Sequence, residues 1–146
     1  MRLELTRRGD YAVRAMLSLA EHDGNGSGNG WLSVARMSAA MGIPERFLPR
    51  VMTELARSGL VEGHLGRSGG YRLARPATSI TLLEVIQAVE PDGGERVCVL
   101  RGGPCGRDGV CAVHGVFTEA RNAMLDTLAT ARLADLHLTD GPGSAN

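Results

Sequence analysis

The sequence has few aromatic residues and no long apolar run. Its 146 residues include one Trp, two Tyr and two Phe, so Leu, Val, Ala and Met must fill the core, and these residues suit packed helices. No stretch approaches the roughly 18 consecutive apolar residues of a membrane span, and Arg14 interrupts the longest apolar run near the N-terminus. Length and composition therefore predict one mainly helical globular domain, with neither a membrane span nor an export signal.

Cysteine is also scarce. Cys98, Cys105 and Cys111 are an odd number of thiols crowded into one short segment, which disfavours a disulfide scaffold and favours a reducing, cytoplasmic setting. The sequence shows no pairing of a nucleophile with a base, and the glycine-rich residues 24–30 lack the strand and the Lys of a phosphate-binding loop. We therefore expect neither an enzyme nor a small-molecule substrate.

The formal net charge is zero, but the charges are unevenly distributed. Residues 1–75 hold eleven arginines and seven acidic residues, whereas residues 76–146 hold five arginines and nine acidic residues. A basic half joined to an acidic half fits a nucleic-acid partner for the first half.

Two short helices are predicted within the basic half. They follow a first helix over Thr6–Glu21, whose predicted apolar stripe consists of Tyr11, Ala12, Ala15, Met16 and Leu19. Ser33 can cap a helix running to about Met41, and Gly42 can end it. The residues predicted to face inward are Val34, Met37, Ala40 and Met41. Ile43-Pro44 then opens a second helix, in which Pro49 is tolerated if the helix starts near Glu45 or Arg46. This pattern is typical of a helix-turn-helix. The predicted buried side of the second helix is Phe47, Leu48, Val51, Met52 and Leu55; the predicted outward side is Glu45, Arg46, Arg50 and Arg57.

A two-stranded hairpin is predicted directly after these helices. Residues 60–65 and 71–74 form the strands, and the turn Gly66-Arg67-Ser68-Gly69-Gly70 joins them. A hairpin in this position is a wing. Arginines on the second helix suit base edges in the major groove, and the tip suits phosphates or the minor groove. The predicted contacts with double-stranded operator DNA are Glu45, Arg46, Arg50, Arg67 and Ser68.

The acidic half contains two more predicted helices. Thr81 caps residues 82–89, with Glu84 at the capping-box position. The second helix, of roughly five or six turns, is followed by a short helical turn over 133–138. Its apolar stripe is longer than one small winged domain can cover, which predicts a homodimer. The stripe consists of Phe117, Ala120, Met124, Leu128 and Ala131. The predicted division is a DNA-binding domain over 1–90, a cysteine-rich loop over 91–112 and a dimerisation segment over 113–140.

The cysteine spacing, Cys98-x6-Cys105-x5-Cys111, lacks the short C-x2-C knuckles of a structural zinc site. Thiolates suit an iron-sulfur cluster, which we favour over zinc. Three thiolates leave one ligand position, and His114 follows Cys111 closely enough to fill it. The alternatives are a thiol-based redox switch and incidental thiols in a loop.

The chain resembles the winged-helix bacterial regulators of the IscR/NsrR (Rrf) family over nearly its whole length. The resemblance rests on residues 1–3, 8–14, 42–44, 55–61, 66–73 and 83–90 and on the three cysteines. The glycine-rich wing followed by Tyr71 is its most specific part. It implies a homodimer with crossing C-terminal helices and a cluster loop held against the partner. It also makes Asp10 of the partner subunit an alternative to His114. The first cysteine gap is one residue longer than is common, and residues 24–30 look like an insertion.

The function expected is therefore a transcriptional regulator, with a repressor favoured, whose operator binding depends on an iron-sulfur cluster. A 2Fe–2S cluster is favoured over a 4Fe–4S cluster, and the signal is iron-sulfur status, nitric oxide or redox state. The alternatives are an iron-sulfur carrier or electron-transfer protein, and a cluster-free or zinc-binding regulator of the same fold. The wing favours a regulator, because a carrier does not need two elements that straddle a groove.

Overall fold

A computed structural model describes residues 3–24, 30–90, 98–100 and 111–137. These residues form five α-helices and one two-stranded antiparallel sheet, which confirms the predicted mainly helical fold with a small β-wing. None of the described helices is both long and apolar enough to cross a membrane. The elements are α1 (Arg7–Gly24), α2 (Val34–Met41), α3 (Leu48–Arg57), β1 (Val61–His64), β2 (Gly70–Leu73), α4 (Leu82–Val89) and α5 (His114–Thr130), with 3-10 turns over Glu45–Phe47, Ala77–Ser79 and Leu133–Asp135.

The core lies between α1, α3 and α4. Helix α1 contributes one stripe in which Ala12, Ala15 and Met16 are fully buried and Leu19 is nearly so. Helix α3 packs against this stripe with an apolar side that is almost wholly inaccessible to solvent. This side consists of Leu48, Val51, Met52 and Leu55. The predicted inward faces of both helices are therefore confirmed, apart from their aromatic residues.

Those aromatic residues lie at the edge of the core. The sequence predicts Phe47 among the buried residues of the second helix, but Phe47 is only half-buried, because it sits in the 3-10 turn before α3. Its ring stacks on Tyr11 with 5.7 Å between ring centroids. Pro49 lies in the first turn of α3, where its missing N–H removes no intrahelical hydrogen bond.

The turn between α2 and α3 follows the predicted caps. The Ser33 side chain accepts a hydrogen bond from the Arg36 backbone N–H at 3.2 Å, and Gly42 ends α2 with φ of +63°. Met37 is fully buried, but Ala40 is exposed, which corrects its expected inward position. At about 100° per residue, Ala40 lies about 120° around the helix from Val34, beyond the edge of the apolar stripe.

The wing is shorter than predicted and is joined to a third segment. The pairs run from Val61 with Leu73 to His64 with Gly70. Beyond them, the Leu32 N–H donates to the Tyr71 carbonyl and the Tyr71 N–H donates to the Leu32 carbonyl, both at 2.9 Å. Leu32, two residues before α2, therefore fixes the wing against the helix-turn-helix.

Helix α4 begins with the predicted capping box. The Thr81 side chain accepts from the Glu84 N–H, and the Glu84 carboxylate accepts from the Thr81 N–H at 2.8 Å. This backbone hydrogen bond is the main cause that lowers the pKa of Glu84, and the Arg75 guanidinium at 2.8 Å adds to it. The cap thus orients α4 while Arg75 ties it to the end of the wing.

Helix α5 is a 17-residue helix with no fully buried residue, somewhat shorter than the predicted five or six turns. Val116 is 67% exposed and Phe117 is 39% exposed. After α5, the chain packs against the core. Leu133 is fully buried there, and its N–H donates to the Ile80 carbonyl at 2.8 Å. The helix is therefore anchored at its C-terminal end while most of its length stays accessible.

Candidate nucleic-acid interface and cysteine pair

The outer face of α3 and its preceding turn carries the charged residues that the sequence predicts there. Glu45, Arg46, Arg50 and Arg57 are all exposed. The Arg46 guanidinium lies 4.7 Å from the centroid of the Phe47 ring, so its side chain is partly ordered before any ligand arrives.

The wing tip projects Arg67 and Ser68 into solvent, together with Leu65, which is 94% exposed. The Gly69 N–H donates to the Gly66 carbonyl at 3.1 Å and closes the turn. A Cβ on Gly69 would lie 2.1 Å from the His64 carbonyl oxygen, so the turn needs glycine here. The tight backbone therefore presents Arg67 at the extreme end of the hairpin.

The two strands of the wing contribute to an aromatic and ionic cluster that the sequence did not predict. The Arg72 guanidinium lies 4.4 Å from the centroid of the Trp31 ring, and Arg72 Nε donates to Glu62 Oε2 at 2.9 Å. The His64 ring lies 5.2 Å from the Trp31 ring. Trp31, directly after a glycine-rich segment, was the one signal of this cluster in the sequence. Its partners could not be predicted, because Trp31 precedes the helix-turn-helix and its partners follow it. This cluster stiffens the hairpin behind its tip.

The start of α1 also makes contacts that sequence reasoning missed. Arg8 NH1 lies 3.2 Å from Glu54 Oε1 on α3. Asp10 forms an ion pair with Arg14 at 2.7 Å, and Arg14 NH1 donates to the Met41 carbonyl at 3.2 Å. The first turns of α1 are thus bonded to both helices of the helix-turn-helix. Asp10, one of the two candidates for the fourth ligand, is held in its own chain by Arg14.

The end of α4 contacts the same region. The Thr6 N–H donates to Glu90 Oε1 at 2.9 Å, and the Thr6 hydroxyl donates to the same oxygen. A Cβ on Gly9 would lie 2.1 Å from Glu90 Oε1. Glycine at position 9 therefore leaves room for the Glu90 carboxylate in the position where it accepts from Thr6.

Two of the three cysteines lie side by side. Cys98 Sγ and Cys111 Sγ are 3.9 Å apart, and both residues are partly buried. Two thiolates on one tetrahedral ion, with metal–sulfur bonds of about 2.3 Å, would be about 3.8 Å apart. The observed separation therefore fits two ligands of one metal ion.

The other predicted ligands do not complete this pair. Cys105 lies outside the described residues. His114 begins α5, and its backbone N–H donates to the Cys111 carbonyl at 3.1 Å. Within the part of the chain that the structure describes, no three His, Cys, Asp or Glu side chains are grouped to hold a metal ion. His114 is close to Cys111 in sequence, but it does not form a three-ligand group with Cys98 and Cys111 in the structure. Its role as fourth ligand therefore remains a prediction.

Comparison with known proteins identifies the family. The Rrf2 family model, described as iron-dependent transcriptional regulator, matches residues 5–138. Protein aau3 of Rhizobium meliloti is 32% identical over 135 residues, which cover 92% of this chain and 84% of that protein. The HTH-type transcriptional regulator IscR of Klebsiella pneumoniae is 33% identical over 134 residues, which cover 92% of this chain and 79% of that protein.

Solved structures agree with this relationship. The structure of T. potens IscR matches with a TM-score of 0.70 and 26% identity, over 91% of this chain and 85% of that one. The structure of CymR, the global cysteine regulator of B. subtilis, matches with a TM-score of 0.75 and 25% identity, over 92% of this chain and 95% of that one. The prediction that the chain is a regulator and not an enzyme is confirmed, because the chain belongs to the Rrf2 family of transcriptional regulators.

Proposed function

We propose that this regulator binds double-stranded operator DNA, with α3 in the major groove and the wing against the neighbouring backbone or minor groove. The observation that carries the proposal is that two surfaces of one folded unit carry exposed arginines. One is the outer face of α3 with its preceding turn, and the other is the tip of the wing. The hydrogen bonds between Leu32 and Tyr71 hold the wing against the helix-turn-helix, so the two surfaces keep a fixed spacing. A fixed spacing allows α3 to contact bases in one groove while the wing contacts the adjacent DNA backbone.

Each element has a distinct role in this proposal. Arg46 and Arg50 donate to base edges, and Glu45 is placed to accept from a cytosine amine. Arg67 and Ser68, on the glycine turn, contact phosphates or the minor groove. The α3 residues therefore carry specificity and the wing carries affinity that depends little on sequence.

The test is to select a duplex from a random pool and measure binding to it and to random DNA. Arg50→Ala is expected to lose roughly 1–3 kcal/mol of discrimination between the two duplexes. Arg67→Ala is expected to weaken both complexes alike and to reduce the salt dependence. If both variants bind both duplexes as the parent does, the proposed surface is wrong.

We further propose that the regulator acts as a homodimer formed through α5. On helix α5, Val116 is 67% exposed and Phe117 is 39% exposed, and a second copy of the helix would cover this apolar side. Two helix-turn-helix units related by a twofold axis then meet two half-sites, which predicts a partly palindromic operator.

We propose that Cys98, Cys105 and Cys111 hold an iron-sulfur cluster that controls operator binding. The supporting observation is the 3.9 Å between the Cys98 and Cys111 sulfur atoms, together with the description of the family as iron-dependent. A 2Fe–2S cluster is favoured over a 4Fe–4S cluster, with His114 as fourth ligand and Asp10 of the partner subunit as the alternative. The bound cluster would supply a redox-sensitive and nitric-oxide-sensitive centre.

The fourth ligand can be identified from two variants. His114→Ala and Asp10→Ala proteins are each supplied with iron and sulfide without oxygen, and their absorption spectra and cluster lifetimes are compared with those of the parent. A shorter lifetime in His114→Ala alone supports His114. A change in Asp10→Ala alone establishes the alternative ligand instead.

A thiol switch is the second candidate, favoured by the same cysteine pair. The sulfur atoms of Cys98 and Cys111 would have to approach from 3.9 Å to about 2.05 Å to form a disulfide. The two thiols would then lose two protons and two electrons to an added oxidant such as hydrogen peroxide. Iron and sulfide content after anaerobic purification separates the candidates, because a thiol switch contains neither.

A further inference from the structure

Arg8 joins the charged surface of α3 although it belongs to α1. Its NH1 lies 3.2 Å from Glu54 Oε1, and the Arg50 Nε lies 3.7 Å from the same oxygen. Both guanidinium groups stay accessible, since the Arg8 side chain is 48% exposed and the Arg50 side chain is 78% exposed. The three side chains therefore form one surface cluster with two positive charges and one negative charge.

Stability alone does not account well for this cluster. Exposed ion pairs typically contribute about 0–1 kcal/mol. Glu54 Oε2 is buried and has no hydrogen-bond partner among the described residues, and an unpartnered buried carboxylate oxygen is unfavourable. Glu54 thus holds two arginines close together, although the burial of its unpartnered oxygen is unfavourable for the stability of the fold.

A ligand with two or more anionic oxygens fits this arrangement. The two guanidinium groups share one oxygen, so their nitrogens lie within about 7 Å of each other, where like charges repel. The single carboxylate leaves one positive charge unbalanced. A DNA phosphate is the anion that α3 would bring to this place, and arginine binds phosphate through short charge-assisted hydrogen bonds.

We propose that Arg8 is a further DNA contact, made to a backbone phosphate beside the groove occupied by α3, and that Glu54 positions Arg8 for this phosphate and Arg50 for the base edges. This rests on the proposed function, because it assumes that α3 faces DNA. Arg8 contacts phosphate rather than bases because it projects from α1, behind the helix that enters the groove. Glu54 is a positioning residue, since it acts through the two arginines.

The experiment measures the salt dependence of binding to a selected duplex and to a random duplex. Arg8→Gln is expected to weaken both complexes by the same factor and to lower the slope of log K against log salt by about one per bound protomer. Arg8→Lys keeps the charge and should keep the parental slope. Arg132→Gln removes a positive charge from the segment after α5 and should change neither quantity.

The positioning role has its own readout. Glu54→Gln keeps the shape of the side chain but removes the charge that holds both arginines. It is expected to raise affinity for random DNA, because a negative charge beside phosphates is lost, and to lower discrimination for the selected duplex. A double-mutant cycle between Glu54→Gln and Arg50→Ala should show that the two losses of discrimination are not additive.

A purely structural ion pair gives a different result. If Arg8→Gln lowers the melting temperature but keeps the parental salt slope, Arg8 does not contact phosphate and the inference is wrong. Should that protein fail to fold, Arg8→Met keeps the aliphatic part of the side chain and repeats the test. If Arg50→Ala and Arg67→Ala also bind as the parent does, the proposed function itself fails, and the two failures are therefore distinguishable.

Discussion

Gly70→Ala should separate the wing from the helix-turn-helix. Gly70 has φ of +150°, and a Cβ there would lie 2.2 Å from the Leu32 carbonyl oxygen and 2.8 Å from the Ser33 nitrogen. All the close atoms belong to backbone, so no side chain can rotate away. The segment of Leu32 would have to move, and its two hydrogen bonds with Tyr71 would be broken.

The size of the effect follows from these contacts. An alanine at this φ carries about 1–3 kcal/mol of backbone strain, and two lost backbone hydrogen bonds contribute about 1 kcal/mol each. Gly66 is the matched control, because its φ is +113° and a Cβ at that position would meet nothing within 4 Å. Gly66→Ala therefore carries strain alone, and Gly70→Ala should cost about 2 kcal/mol more.

Urea unfolding followed by circular dichroism measures both free energies of unfolding. The difference should also appear as a melting temperature lower by roughly 4–8 °C for Gly70→Ala than for Gly66→Ala. Binding to random DNA should weaken for Gly70→Ala, because the wing no longer keeps its spacing from α3. Equal stability of the two variants would refute the role of Leu32 in fixing the wing.

Three further outcomes are expected. Leu55→Ala, which empties a fully buried position on α3, should lower the free energy of unfolding by about 2–5 kcal/mol in urea titrations; a loss below about 1 kcal/mol would contradict its place in the core. The pKa of Glu84 is lowered from 4.5 in the folded chain, so its charged form stabilises the fold above that pH and this contribution disappears as the pH falls through the lower folded pKa. Glu84→Gln should remove this step from the pH dependence of stability, and an unchanged profile would count against the cap. Met124→Asp places a charge on the apolar stripe of α5 and should shift a dimer toward monomer in sedimentation measurements at micromolar concentration, whereas a persistent dimer would rule out this interface.

Local signals predicted much of the fold. Ser33, Gly42 and Thr81 act at the helix ends that they marked, because caps and left-handed glycines depend on neighbouring residues. The core faces of α1 and α3 followed from helical periodicity, since a stripe repeating every three to four residues must face one partner. The same reasoning misplaced Ala40, which lies at the edge of a short stripe.

Contacts between distant segments were not predictable from the same signals. Leu32 pairs with Tyr71, and Arg8 with Glu54, across 39 and 46 positions. No local pattern encodes such partners, because they depend on how the helices pack. Part of the candidate site was nevertheless predictable, since the exposure of Arg50 follows from the opposite, apolar side of α3 and the exposure of Arg67 follows from its place in a glycine-rich turn.

The cysteine segment shows the limit of spacing as evidence. The spacing indicated a metal site, and the described residues bring Cys98 and Cys111 together. The fourth ligand depends on contacts beyond the segment, and the resemblance to a family left His114 and Asp10 as rivals. Asp10 lies in an ion pair with Arg14, so ligation by Asp10 would require this pair to be broken or shared.

Control of DNA binding by the cluster is the central claim, and one measurement tests it most directly. A duplex is selected from a random pool with anaerobically purified protein, and its Kd is then measured by fluorescence anisotropy for cluster-loaded and cluster-free protein at one salt concentration. We expect one enriched, partly palindromic sequence and a change in Kd of about tenfold or more, equivalent to about 1.4 kcal/mol. Equal Kd values for protein with and without a spectroscopically verified cluster, or the absence of any enriched sequence, would contradict this account.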